Sequence, residues 1–335
     1  MTNTTIRRAL LALTPALPLA LAACGGSSSS ISDATTAERQ AAASATASTN
    51  DACDLAILGP FYWEIGDATG TKGSGQVGSG APAAGTVMSI ASASKWLYAA
   101  YVVQKVGVRA SDVPYLNFTS GYDSFVPFCQ ITDTVAGCLA LGGDAQDAAH
   151  IGRFSYSGGH MQEHAATVMG MGALTAVSLA AEIQSEIGQY GMTYLQPELA
   201  GSVVANASAY AAFLRRMLTG DLALLRSLGT NRVCANPDAT GCDAISSPIL
   251  GTEDWGYSLG HWVEDDPVAG DGAFSSPGAF GFYPWISADK TLYGILARED
   301  ADTNAGFKSA LCGRLIRQAW VTGVAVSSST PSPGL

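Results

Sequence analysis

Met88-Ser89-Ile90-Ala91-Ser92-Ala93-Ser94-Lys95 leads into a run in which Trp96, Ala99, Ala100 and Val103 recur at helical spacing. Gly107 supplies a stop. Residues three apart on a helix share a face, so Ser92 and Lys95 can meet without help from distant sequence. A serine hydroxyl is a poor nucleophile until a base removes its proton. Lysine is that base only when uncharged, which requires burial or a neighbouring cation. Ile90, Ala91, Trp96 and Leu97 supply an apolar wall. A serine at a helix start also feels the positive end of the dipole, which favours developing negative charge there. Ser287-Ala288-Asp289-Lys290 repeats the same S-x-x-K spacing in a predicted turn, so spacing alone does not single out the first pair.

Outward from this helix, Leu55–Glu64 reads as a strand interrupted by Pro60, and 70–85 as a Gly-rich loop. Further helices are expected over Met161–Met169, Leu174–Ile187 and Ser208–Thr219. Strands are expected over Tyr257–Glu264, Ala279–Ile286 and Thr291–Arg298, with Asp289-Lys290 turning the last pair. Ala305–Val321 reads as a closing helix. The order strand, helices, strands, helix predicts an α/β (α+β) architecture: an antiparallel sheet flanked by helices, with a helical subdomain.

Arg7 and Arg8 precede an apolar run from Ala9 to Ala23 that is short for a bilayer span, the pattern of a secretory leader. Ser, Thr and Ala dominate the following segment. The expected division is a leader over 1–23, a flexible linker over 24–50 with a short helix near Thr36–Ala45, one domain over 51–325 and a loose tail over 326–335. The 335 residues are 47% hydrophobic and 13% charged, a compact chain rather than a disordered one. With 17 basic against 28 acidic residues, nucleic acid is not an expected partner. Beyond Cys24, six cysteines remain, an even set that reads as disulfides in an exported protein. Closeness in sequence favours Cys129–Cys138 and Cys234–Cys242, leaving Cys53 with Cys312. Without a C-x-x-C pair a zinc ribbon is not expected.

Two resemblances sharpen this reading. Leu21-Ala22-Ala23-Cys24 resembles the lipobox of bacterial lipoproteins, which implies a lipid on Cys24, a periplasmic protein and, with Gly at 25, the outer membrane. The 88–95 stretch resembles the nucleophile segment of the serine beta-lactamase and penicillin-binding protein superfamily, in its class C, DD-peptidase and esterase branch. Further segments follow in that branch's order: Leu116–Tyr122, Gly152–Gly158 with Tyr156 leading a Tyr-x-Asn-like motif, Leu199–Leu214, Tyr257–Trp262 and Ser275–Gly281. The resemblance implies a beta-lactamase/transpeptidase-like fold, Ser92 as nucleophile, Lys95 as base and Tyr156 as proton shuttle. It implies an oxyanion hole from the backbone N–H groups of Ser92 and Ala279. Gly158, Ser276, Gly278 and His160 are placed around the substrate.

The departures matter as much. Gly158 stands where the family has Asn, Ser276 where it has Lys or His, and Pro277 where a hydroxyl residue is common. Without a cation at 276, a substrate carboxylate loses its usual partner. The expectation is hydrolysis of a neutral ester or amide through an acyl-enzyme, with no cofactor and no metal. The membrane would be met through the lipid anchor only. A decayed binding or scaffold protein on the same fold is the rival, with DD-peptidase or beta-lactamase chemistry behind it. His160-Met161-Gln162-Glu163-His164 matches a zinc-peptidase pattern, but it falls where the superfamily starts a helix. His160 is therefore expected near the cleft, Glu163 or His164 at the surface, and His261 either beside the pocket or simply on its strand.

Overall fold

The computed structural model describes residues 34–328 except Leu250 and Thr303, together with Met1. The leader, the lipobox and Cys24 lie outside the described residues. Helix α1, Thr36–Thr49, starts at a capping box between Thr35 and Glu38. It buries Ala42, Ala43, Thr46 and Ala47, a stripe of small side chains that lets it lie against the closing helix. The linker expected up to residue 50 is therefore corrected, because Thr36–Thr49 belongs to the domain. The tail is corrected in the same place. Val326 is buried, with its N–H donating to Thr46 Oγ1 at 2.9 Å and its carbonyl accepting from Asn50 at 3.0 Å.

Asp54 caps a short helix α2, Leu55–Leu58, which ends at Gly59. The chain then enters β1, Phe61–Asp67, so the expected strand begins only after Pro60. The Gly-rich segment is not a loop throughout, since 70–77 forms β2, Gly70–Val77, paired to β1. Its glycines make room for tryptophans: a Cβ on Gly73 would lie 2.3 Å from the Trp320 ring, and one on Gly75 2.7 Å from Trp63 Nε1.

The middle of the chain holds β3 (Met88–Ser89), α3 (Ser94–Val106), α4 (Val113–Leu116), α5 (Val135–Gly142) and α6 (Gly159–Glu163). A π-helical turn over His164–Val168 extends α6. There follow α7 (Ala176–Ile187), β4 (Thr193–Tyr194), β5 (Val203–Ala205) and α8 (Ala207–Leu218). The last third supplies β6 (Val233–Cys234), β7 (Gly256–Ser258), β8 (His261–Glu264), β9 (Ala273–Ser275), β10 (Tyr283–Ile286), β11 (Leu292–Ala297) and α9 (Ala305–Thr322). The stretch expected as one strand over 257–264 is a hairpin. Leu259 and Gly260, with φ of 40° and 77°, make its two-residue turn. The strand expected from Ala279 starts at Tyr283, because 276–282 forms a loop between β9 and β10.

Eight strands form an antiparallel sheet in the order β2-β1-β11-β10-β9-β8-β7-β6, and β3-β5-β4 form a smaller one. Six consecutive residues of β1 are buried, so both faces of the sheet are covered there. On one face Arg215 of α8 donates to the Tyr293 hydroxyl, which in turn bonds Glu64. On the other, Gly313 of α9 lies against Tyr283 and Leu296. Arg317 of α9 is tied to Glu264 and Asp271 in the buried interior. Cys53–Cys312, Cys129–Cys138 and Cys234–Cys242 are bridged, as befits an oxidising compartment. Among the described residues no helix is long and apolar enough to cross a membrane.

Candidate active site

The turn that carries Ser92 is held backbone group by backbone group. Ser92 lies in a single 3₁₀ turn, Ala91–Ala93, between β3 and α3. Ala91 has a φ of 43°, a left-handed conformation that costs a side-chain-bearing residue roughly 1 kcal/mol or more. Three hydroxyls from three different elements bind the three carbonyls of this turn. Ser94 Oγ donates to the Ala91 carbonyl at 2.6 Å, and Ser276 Oγ to that of Ser92 at 3.0 Å. The Tyr210 phenol of α8 donates to that of Ala93 at 2.8 Å. The Ile90 N–H donates to the Val203 carbonyl, fixing the entry to the turn.

This corrects the placement of Ser276. Its hydroxyl is spent on the Ser92 carbonyl, and its side chain is buried, so it orients the nucleophile turn rather than facing substrate. Gly278 belongs to the same contact. A Cβ there would lie 2.2 Å from the Ile90 carbonyl oxygen. Gly278→Ala is expected to push the 276–282 loop off the Ser92 turn, destabilising the protein by about 1–3 kcal/mol and lowering activity. Denaturant melts and initial rates check this, and a variant with wild-type values for both would contradict it.

Lys95 stands in the first turn of α3 and is buried. Its Nζ lies 2.9 Å from Ser92 Oγ and 2.8 Å from the Ala200 carbonyl. It also sits 4.8 Å from the centroid of the Tyr156 ring. Tyr156 stacks on Trp262 at 5.3 Å, and its N–H donates to the Ser246 carbonyl. The structure thus brings Ser92, Lys95 and Tyr156 together. The second S-x-x-K does nothing comparable: Ser287 bonds Asp289 in the β10–β11 turn, and Lys290 donates to the Leu225 carbonyl.

Ser92 stands between two cavities. One, of about 90 Å³, is bounded by Tyr156, Ile249, Trp262, Ala279 and Phe307, and is mostly apolar. Gly278 and Ala279 both border it, which puts the 276–282 loop beside the nucleophile. The other, of about 260 Å³, is bounded by Lys95, Phe125, Gly158, Gln196, Glu198 and Phe280. A third cavity, of about 310 Å³ beside Asn50 and Arg314, shares no lining residue with these two.

Neither histidine of the H-x-x-E-H pattern borders the two cavities. His160 is fully buried and stacked on Phe118 at 5.1 Å. Its Nδ1 meets Ser120 Oγ at 2.7 Å and its Nε2 the Ser155 carbonyl at 2.9 Å. The expectation that His160 contacts substrate is corrected: α6 turns the imidazole inward, where it steadies the residue before Tyr156. Burial holds its pKa down at about 4. His164, expected at the surface, is also fully buried, between the Tyr98 hydroxyl and Asp112. The two imidazoles turn to different partners. His261 is a core residue stacked on Trp96, and its Nε2 accepts the Gly229 N–H.

Sequence reasoning missed Glu198, which precedes the segment quoted for its resemblance. Its Oε1 accepts the Ala200 N–H at 2.8 Å. Burial raises its pKa, opposed by Lys95 and by the N–H groups of Ala200 and Gly201. A lone acid within Pro197-Glu198-Leu199-Ala200-Gly201 was the only available signal.

No protein-family model matches the chain, and no curated protein matches it. Solved structures do. A D-amino acid amidase from Ochrobactrum anthropi SV3, bound to D-phenylalanine, aligns at TM-score 0.56 and 11% identity, over 84% of this chain and 98% of that one. A D-stereospecific amidohydrolase from Streptomyces sp. aligns at 0.54 and 13%, over 87% of this chain and 100% of that one. A penicillin-binding protein from Bacillus halodurans aligns at 0.51 and 12%, over 75% of this chain and 95% of that one. The chain has the fold of the serine beta-lactamases and penicillin-binding proteins. At these identities the likeness is one of fold, and the beta-lactamase fold is what the resemblances in the sequence implied. Within this beta-lactamase fold, Ser92 lies at the junction of the helical part and the sheet, between α3 and the β9–β10 loop.

Proposed function

We propose that this protein is an exported serine hydrolase that cleaves a neutral ester or amide through an acyl-enzyme on Ser92. The observation that carries the reading is Lys95 Nζ at 2.9 Å from Ser92 Oγ, with Tyr156 beside it. In this reading the Ser92 hydroxyl gives its proton to uncharged Lys95 as its oxygen bonds the substrate carbonyl carbon. The N–H groups of Ser92 and Ala279 hold the resulting oxyanion, each worth roughly 3–4 kcal/mol in comparable sites. As the carbon–leaving-group bond breaks, Tyr156 hands a proton to the departing oxygen or nitrogen and is resupplied from Lys95. Water then attacks the acyl carbon with the proton flow reversed, freeing Ser92.

The absence of a cation at 276 argues for a scissile bond with no carboxylate beside it. Fold neighbours named as an amidohydrolase, an amidase and a hydrolase with promiscuous acyltransferase activity support ester or amide chemistry. The three disulfides support export, Leu21–Cys24 supports a lipid anchor on Cys24, and Gly25 favours the outer membrane. A fluorophosphonate probe is expected to label the wild type at Ser92 and to leave Ser92→Ala unlabelled. Equal labelling of both proteins would end this reading.

A second reading, a binding protein with a decayed site, is favoured by Gly158, Ser276 and Pro277. It predicts neither acylation nor turnover across a panel of esters, amides and lactams.

A further inference from the structure

The cavity on the Lys95 side carries a carboxyl group that the acyl transfer above does not use. Glu198 sits in a loop built to present it. Gln162 donates to the Pro197 carbonyl at 2.9 Å and accepts the Leu199 N–H at 3.2 Å. Ser202 Oγ meets the carbonyls of Gln196 and Glu198, at 2.6 Å each. The carboxyl is turned toward the Gly158 side of the cavity. Gly158 has a φ of −70°, which any residue adopts, so its backbone does not call for glycine. A Cβ at 158 would lie 3.1 Å from Glu198 Oε1 and 3.2 Å from the Ala200 Cβ, so the carboxyl would have to give by a few tenths of an ångström to admit one. The room left by the missing side chain is taken by a carboxyl group.

The two cavities have different work to do. Tyr156, the proposed proton donor to the leaving group, borders only the apolar cavity, so the leaving group lies there. The acyl half must then extend into the cavity bounded by Lys95 and Glu198. Among the described residues bordering that cavity, Lys95 is the single basic side chain, already engaged with Ser92 and Ala200. Glu198 is the single acidic side chain, and its two oxygens have lone pairs beyond those taken by backbone N–H groups, so a cation beside it would favour its ionised form. Phe125 and Phe280 border the same space, and aromatic rings attract cations.

We propose that Glu198 is a specificity-determining residue, the counter-ion for a protonated amine on the acyl half of the substrate, so that the enzyme prefers aminoacyl esters and amides. This rests on the serine-hydrolase reading and narrows it: the scissile bond is neutral and the acyl group is cationic.

The test pairs each amine with its amine-free counterpart: 2-aminobutyryl against butyryl p-nitroanilide, and 6-aminohexanoyl against hexanoyl, with both enantiomers of the first. The wild type is expected to favour an amine-bearing member by at least about tenfold in kcat/KM, the scale of one charge-assisted contact. In Glu198→Gln that ratio is expected to fall toward one. A wild type with no preference overturns the proposal without any variant, and Ser92-dependent hydrolysis of both members would leave the serine-hydrolase reading intact. A preference that survives Glu198→Gln unchanged also overturns it, assigning Glu198 to loop structure. Hydrolysis that persists in Ser92→Ala would instead remove the reading beneath.

Discussion

Lys95→Ala is expected to lower kcat/KM for a p-nitrophenyl ester by about a thousandfold, the usual scale of losing a general base. The fold should survive. Lys95 contributes two side-chain hydrogen bonds, to Ser92 Oγ and the Ala200 carbonyl, and alanine suits its helical position. Leaving the Ala200 carbonyl without its partner costs about 1–3 kcal/mol, visible as a modest drop in Tm. Lys95→Arg should not rescue activity, because a guanidinium stays protonated and cannot accept the serine proton. The double variant Ser92→Ala/Lys95→Ala should be no slower than the worse single variant, since the two act as a unit. Circular dichroism melts beside initial rates separate loss of chemistry from loss of fold. A folded Lys95→Ala with near-wild-type rates would show that Ser92 is activated some other way.

The second large effect is on stability in acid. His160 and His261 are fully buried, and burial lowers their pKa values to about 4 and about 3. Neither can charge in place without loss. His160 Nε2 faces the Ser155 carbonyl and its Nδ1 the Ser120 hydroxyl, with Asp123 nearby. His261 Nε2 accepts the Gly229 N–H, and the Lys290 charge adds to the penalty for protonating it. In the unfolded chain both titrate near the usual 6.5. Between pH 6.5 and 4 the unfolded state therefore binds more protons, and stability falls as pH falls. The loss by pH 4 is on the order of 3 kcal/mol for each histidine, and it is absent above pH 6.5. Chemical denaturation at pH 7, 5.5 and 4.5 reads it directly. A flat midpoint across that range would mean the imidazoles charge without penalty.

The Ser92–Lys95 pair was legible because its geometry is local, one helical turn set by the backbone. Tyr156 was legible only by resemblance, since nothing in 152–158 points to a partner on α3. The sheet was legible where apolar residues alternate, and illegible in 70–77, where glycines form a strand because tryptophans from elsewhere fill the space above them. The same limit hid the place of α1 in the domain. A short helix near Thr36–Ala45 was legible, but its Ser, Thr and Ala composition reads as part of a tether until α9 is beside it. His160 was assigned to the cleft from its place after Tyr156, but α6 turns its ring onto Ser120 and the Ser155 carbonyl in the core. Glu198 was missed because its approach to Lys95 is made across about a hundred residues and leaves no local pattern. Only the glycine at 158, noted as a departure, marks the space it uses.

Strand β1 sits between β2 and β11, and the bridge Cys53–Cys312 closes a span of 259 residues beside it. Under the export proposed above, in which the amino end crosses first, the sheet's first hairpin must wait, unpaired along one edge, until almost the last segment has crossed. Assembly then completes in one late step. Shortening the carboxyl end by even α9 and β11 would strand β1 with an open edge, so truncated chains should be cleared or clump rather than persist as smaller working units.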